Sequence, residues 1–158
     1  MKTKMIIKDQ KGGALIEFAI VLPLLILLVI GGIEFGLLCY NKQVIANASR
    51  EGARAGIIAF GRDYYLDNDQ IITIVKNYCA THVITFSASP DLDTDLNVTL
   101  DPATPNREDT TSFEFGDPFE VKVSYYYDFL IPSFFGSADQ NGKYLIKAAT
   151  MMKREASI

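Results

Sequence analysis

Sixteen consecutive residues, Phe18 to Ile33, carry no charge; they lie between Glu17 and Glu34, the only ionised groups from Ala14 to Tyr40. An apolar run of this length has few places to go. At about 1.5 Å of rise per helical residue, Ala14 to Glu34 covers ~30 Å, one hydrocarbon core. The stretch KGGALIEFAIVLPLLILLVIGGIEFGLLCY, Lys11 to Tyr40, therefore predicts a membrane helix around which the chain is organised. Glu34 reaches the far interface, where the default reading is a solvated carboxylate. If Gly13 marks the near face, Glu17 sits one turn inside lipid, where an unpaired carboxylate costs roughly 2.5 to 3.5 kcal/mol. Glu17 needs a partner.

Two other readings of an amino-terminal apolar run fit poorly. A secretory signal ends its core at a small-x-small cleavage site, yet this core continues into Gly36-Leu37-Leu38-Cys39-Tyr40. A lipoprotein signal wants a small residue before its cysteine, and leucines precede Cys39. Within the run, Gly32 and Gly36 form a G-x-x-x-G that favours close helix contact in lipid, although such pairs also arise by chance. Pro23 removes one backbone hydrogen bond and kinks or loosens the helix, which membrane helices tolerate when neighbours compensate.

Charge assigns the two sides of the membrane. Met1 to Gly12 carries four lysines against one aspartate, so the formal net charge of -4 hides a remainder at -7. Lysines before the span predict a cytoplasmic amino terminus and an exported carboxyl-terminal domain. An acidic exported domain is a poor nucleic-acid binder. One span in a chain of 158 residues leaves about one small domain outside the bilayer. Cys39 and Cys79 can pair in an oxidising compartment, or can equally be small buried hydrophobes.

Beyond Tyr40 the helical pattern persists. Apolar or small residues at Val44, Ala48, Gly52 and Ala55, with Ile45, Gly56 and Ala59, make a narrow stripe flanked by Lys42, Arg50, Glu51 and Arg54. After a polar break at 62–68, Asp67 and Gln70 form a capping-box start for a second helix ending near Thr81, with Ile71, Ile72, Val75, Tyr78 and Cys79 on one face. His82, the single histidine, reads as structural or exposed. Val83-Ile84-Thr85-Phe86 suggests a strand. Asp91, Asp93 and Asp95 resemble the start of a calcium loop, but Leu96 and Pro102 stand where glycine and glutamate are required, leaving a solvated acidic loop.

Alternation predicts a short half-buried strand at Leu96, Val98 and Leu100, and a clear one from Phe119 to Phe129 with Phe119, Val121, Val123, Tyr125, Tyr127 and Phe129 inward. Between them, 101–117 reads as a loop with a brief strand at Phe113 to Phe115. A last strand over Tyr144 to Lys153 pairs with the preceding one. Phe134 and Phe135 read as core rather than as a binding tip. No nucleophile set, metal-ligand spacing or phosphate loop is recognisable, so the expectation is a non-enzyme without cofactor or metal.

The basic leader, Gly12-Gly13, Glu17 and Phe18 together resemble the class III signal of type IV pilin precursors. Gly13-Ala14-Leu15-Ile16-Glu17-Phe18-Ala19, Leu22-Pro23-Leu24-Leu25, Ile33-Glu34-Phe35-Gly36 and Glu51-Gly52-Ala53-Arg54-Ala55 resemble TadE-like proteins, minor pilin-like components of tight adherence pili. The resemblance implies cleavage by prepilin peptidase between Gly12 and Gly13, which leaves Glu17 as the fifth mature residue. The new α-amino group, with a reference pKa of about 7.7 to 8.0, would be neutralised by Glu17 of a neighbouring subunit, setting the register of addition.

The implied architecture is α+β: a long N-terminal transmembrane helix extending into a small antiparallel β-sheet domain backed by a second helix. It divides into a leader at 1–12, a transmembrane and assembly helix at 13–61 and an exported domain at 62–158. The implied partners are prepilin peptidase, other pilins or pseudopilins, the inner-membrane assembly platform and membrane lipid. The implied role is pilus biogenesis, adhesion and surface colonisation from a membrane-resident or pilus-associated position. The length is too great for a major pilin of this system. An unprocessed single-pass anchored binding module, a type II secretion pseudopilin and an envelope enzyme are the alternatives.

Overall fold

The computed structural model describes residues 10–57, 66–85, 92–101, 116–129 and 143–153. The first element is a single helix, α1, Gln10–Ile57, which runs through Pro23 without ending. The expected continuation of the membrane helix past Tyr40 is observed, as far as Ile57. The chain divides into two units, Met1–Gly36 and Leu37–Ile158. In the first, α1 presents apolar side chains to its surroundings on every face: Leu15, Phe18, Ile20, Leu24 and Leu28 are all exposed. From Phe18 to Leu28 the helix is hydrophobic all round and largely exposed, a surface that suits lipid or other helices, not water.

The second unit is a small α+β domain. Its α2, Asn68–His82, begins at the N-cap Asp67 with the expected capping box, in which the Asp67 side chain accepts from the helix and Gln70 Oε1 accepts from Asp67 N at 3.1 Å. Ile71, Val75 and Cys79 form its buried stripe. After one turn of helix, α3 (Leu92–Asp95), come β1 (Leu96–Asp101), β2 (Pro118–Tyr127) and β3 (Tyr144–Lys153). They form an antiparallel sheet in the order β1-β2-β3. The alternation expected in β2 is borne out, with Phe119, Val121, Val123, Tyr125 and Tyr127 buried. The strand stops at Tyr127, so Phe129 lies past its end and stacks edge-on against Tyr127 at 5.3 Å.

The carboxyl-terminal part of α1 is packed into this domain through a stripe of small residues. A Cβ added at Gly52 would lie 2.5 Å from Val75 Cγ2 and 3.3 Å from Val121 Cγ1. One added at Gly56 would overlap the Phe119 ring, with Cζ at 2.7 Å and Cδ1 at 2.9 Å. Four helical residues rise about 6 Å and two strand residues about 6.7 Å, so Gly52 and Gly56 match Val121 and Phe119 step for step, with α1 and β2 running oppositely. The stripe differs in detail from the sequence reading. Ser49 and Ala53 are buried along with Val44, Ile45 and Ala48, whereas Ala55 is only half-buried and Ala59 lies outside the described residues. Ser49 is accommodated because its hydroxyl donates to Ala46 O at 2.8 Å and shares a second hydrogen bond with Thr150 Oγ1 of β3 at 2.7 Å.

Two further expectations are corrected. Val83–Thr85 is not a strand. The backbone of Ile84 is held instead by the buried Asn41 side chain of α1, whose Nδ2 donates to Ile84 O at 2.6 Å while Oδ1 accepts from Ile84 N at 3.0 Å. A fully buried carboxamide satisfies one residue in both directions, taking the donor and acceptor that a ladder would have used. Within the aspartate run Asp93 is solvated as expected, but Asp95 is not, for it is buried beside Lys143 Nζ at 2.6 Å. Phe86, Asp91, Phe113 to Phe115, Phe134 and Phe135 lie outside the described residues, as does the leader up to Asp9.

Candidate functional site

The residues singled out for processing and assembly all lie on α1. Gly12 and Gly13 are in its first turns, in a helix that begins at Gln10. Glu17 follows one turn after Gly13 and is exposed, as is Phe18 beside it. Carboxylate and ring therefore project outward from an apolar surface, open to another molecule. Gly32 and Gly36 are one turn apart, and a Cβ at either would meet nothing within 4 Å. Neither glycine is needed to fold this chain on itself. Gly52 and Gly56, which are closed against the sheet, contrast with this pair.

Glu34 departs from its expected solvated state. It is 1 % exposed. Glu34, Asn41 and Ala48 recur every seven residues, which places them on one face of α1, and Asn41 and Ala48 are also fully buried. That periodicity was available in the sequence. Reading Glu34 only as the end of an apolar run missed it.

Two lysines of the domain hold the described aspartates of the acidic run. Lys76 of α2 meets Asp93 at 2.6 Å, and this neighbour holds the exposed Asp93 carboxyl below its ordinary value. Lys143 meets Asp95 at 2.6 Å and Asp128 at 3.4 Å, and the hydrogen bond it donates to Asp95 leads in raising the lysine's pKa. Each aspartate of the former calcium-like run that is described is thus bound by a lysine from another element. Among the described residues no group of three or more His, Cys, Asp or Glu is arranged to hold a metal ion. His82 is exposed at the end of α2, stacked on Tyr78 at 4.4 Å with Nδ1 2.9 Å from Tyr78 O, a structural position. Cys39 and Cys79 are both free thiols. Cys79 is one of the buried hydrophobes, and burial pushes its thiol up to about 11; Cys39 is exposed.

A long, uniformly apolar amino-terminal helix that fits a membrane anchor, joined to a small α+β domain with an antiparallel sheet, defines the class of protein. Residues 12–54 match the family model described as TadE-like protein. The match runs along α1 from the paired glycine to the Gly-Ala-Arg run, so it takes in Glu17, Gly32, Glu34, Gly36 and Gly52 and stops two residues short of Gly56. Over those residues it bears out the resemblance read from the sequence. No match was found among curated proteins or among solved structures.

Proposed function

We propose that this chain is a prepilin-like minor subunit of a tight adherence pilus system, cut by prepilin peptidase between Gly12 and Gly13 and assembled through the apolar part of α1. The observation that carries the reading is the exposed Glu17 inside the matched segment, on a helix whose surrounding surface is apolar. A carboxylate there is costly in lipid unless it is paired, and the amino group freed at Gly13 of a neighbouring subunit is a cation at the right depth. Phe18 accompanies it, and Gly32 and Gly36 leave room for a second helix to approach. The domain from Leu37 onward is exported and faces other pilins and the inner-membrane assembly platform.

The reading is tested by complementing a strain that lacks the gene with Glu17→Gln. The neutral amide keeps size and helix propensity but forfeits the ion pair. Pilus assembly is expected to fail, with the protein still in the membrane at parental level. Parental piliation by Glu17→Gln would remove the assembly role and favour a plain anchored binding module.

A further inference from the structure

The sheet ends on two strands that pair on one side only. Among the described residues β1 and β3 are each bonded to β2 alone, leaving a row of backbone N–H and C=O groups along each outer edge. Proteins blunt such edges with proline, a bulge, an inward charge or a short strand. β3 has none of these. Its ten residues stay in unbroken register with β2, and its lysines, Lys147 and Lys153, fall on the face away from the core. The inward residues of both edges are also incompletely covered. Val123 in the middle is 1 % exposed, whereas its partners Val98 and Ala148 are half-buried.

We infer that β3 is a docking edge for β1 of a second copy of this chain, so that two sheets join into one. Both strands are antiparallel to β2 and so run the same way, which makes the joint a parallel pair. With the rows level, Val98, Val123 and Ala148 of one copy continue into Val98 of the next, and inward side chains stay on one face. Charge selects this partner. β3 carries two lysines and no carboxylate, and β1 carries Asp101 and no cation. Two β3 edges would gather four lysines along one seam, whereas β3 against β1 sets opposite charges together. Neither lysine forms an ion pair among the described residues. Asp101 is 66 % exposed in its side chain and 3.6 Å from Lys122 of its own sheet. On the incoming β1 it stands diagonally from Lys153, about 8 Å away and within reach of a long side chain. The joint uses a different strand from each copy, so it is heterologous and can repeat. It concerns the domain alone and stands whether or not the leader is cut.

Paired cysteines test the joint in the full chain in detergent, with Cys39→Ser removing the exposed native thiol. Thr99 and Ala149 share a row of the sheet, and both are exposed. Within one copy they lie two strands apart, roughly 10 Å, too far for a disulfide, whereas across the joint they are about 4.8 Å apart. Thr99→Cys combined with Ala149→Cys is expected to give, on mild oxidation, a ladder of disulfide-linked dimers and higher species. Mixing the two single variants should give dimers only. Adding Lys153→Glu should reduce linkage several-fold, and Asp101→Lys on top of it should restore linkage. Asn97→Cys with Lys147→Cys, one step along the same register, repeats the test should the first pair misfold. A folded double variant that stays monomeric under oxidation overturns the inference. Linkage by Ala149→Cys alone means β3 against β3 and also overturns it, as does linkage that Lys153→Glu leaves unchanged, which means chance collision.

Discussion

Asn41 holds Ile84 by both its backbone donor and its acceptor, and no pattern of hydrophobicity announces such a contact. Asn41→Ala removes both partners and leaves an N–H and a C=O inside the domain. Each unsatisfied group costs about 1 to 3 kcal/mol, so the variant is expected to lose roughly 2 to 6 kcal/mol of domain stability, measured as a lower thermal transition in detergent. The same residue explains why the Val83-Ile84-Thr85 strand reading failed: β-branched composition signals a fit to a pleated surface, and a side chain distant in sequence claimed the backbone first. Glu34 and Asp95 were misread for a related reason. A charged side chain is exposed by default, and only the spacing from Asn41 in one case and the arrival of Lys143 in the other marks it as buried.

Alkaline pH should weaken the domain through individual residues. Cys79 is raised from 9.0 to about 11 by burial, Tyr125 is raised chiefly by burial, and Lys143 is raised chiefly by its hydrogen bond with Asp95. All three hold their protons more tightly folded than unfolded, so their contributions are whole below the unfolded values and fade as pH rises through the folded ones. Stability is expected to be flat below about pH 9 and to fall above it, with Cys79 alone worth roughly 3 kcal/mol at most. Thermal transitions recorded from pH 7 to 11 check this, and Cys79→Ala should start lower yet decline less.

At the scale of the element, four glycines of α1 stand in two different surroundings. Gly52 and Gly56 are closed against Val75, Val121 and Phe119, whereas Gly32 and Gly36 are open. Overpacking costs about 2 to 3 kcal/mol where, as here, a Cβ overlaps a buried ring, and the gain in helix propensity returns about 1, so Gly56→Ala is expected to destabilise the domain by roughly 1 to 2 kcal/mol. Gly36→Ala should leave the thermal transition of the isolated protein unchanged. A loss of assembly by Gly36→Ala with unchanged stability would then report on contact between subunits; an equal drop in stability for both variants would refute the division. The elements themselves were largely legible. The Asp67 and Gln70 pair marked the start of α2, and strict alternation marked β2, because capping and pleat are local. Which small residues of α1 face the sheet was less legible, since Ser49 and Ala53 take buried places that hydrophobicity alone gives to Ala55.

At the scale of the whole molecule, an acidic domain follows a basic leader and an uncharged helix, an order of charges that predicts export of the carboxyl-terminal part. The apolar helix was the most legible feature because length and absence of charge leave few alternatives. Cleavage was readable only by resemblance, since two glycines near the start of a helix are otherwise unremarkable. The central claim is that the leader is removed at Gly12/Gly13. It is tested most directly by the intact mass of the protein purified from membranes of its native host with and without prepilin peptidase. A mass lower by that of Met1 to Gly12 only where the peptidase is present is the predicted result. A full-length mass in both would contradict the account.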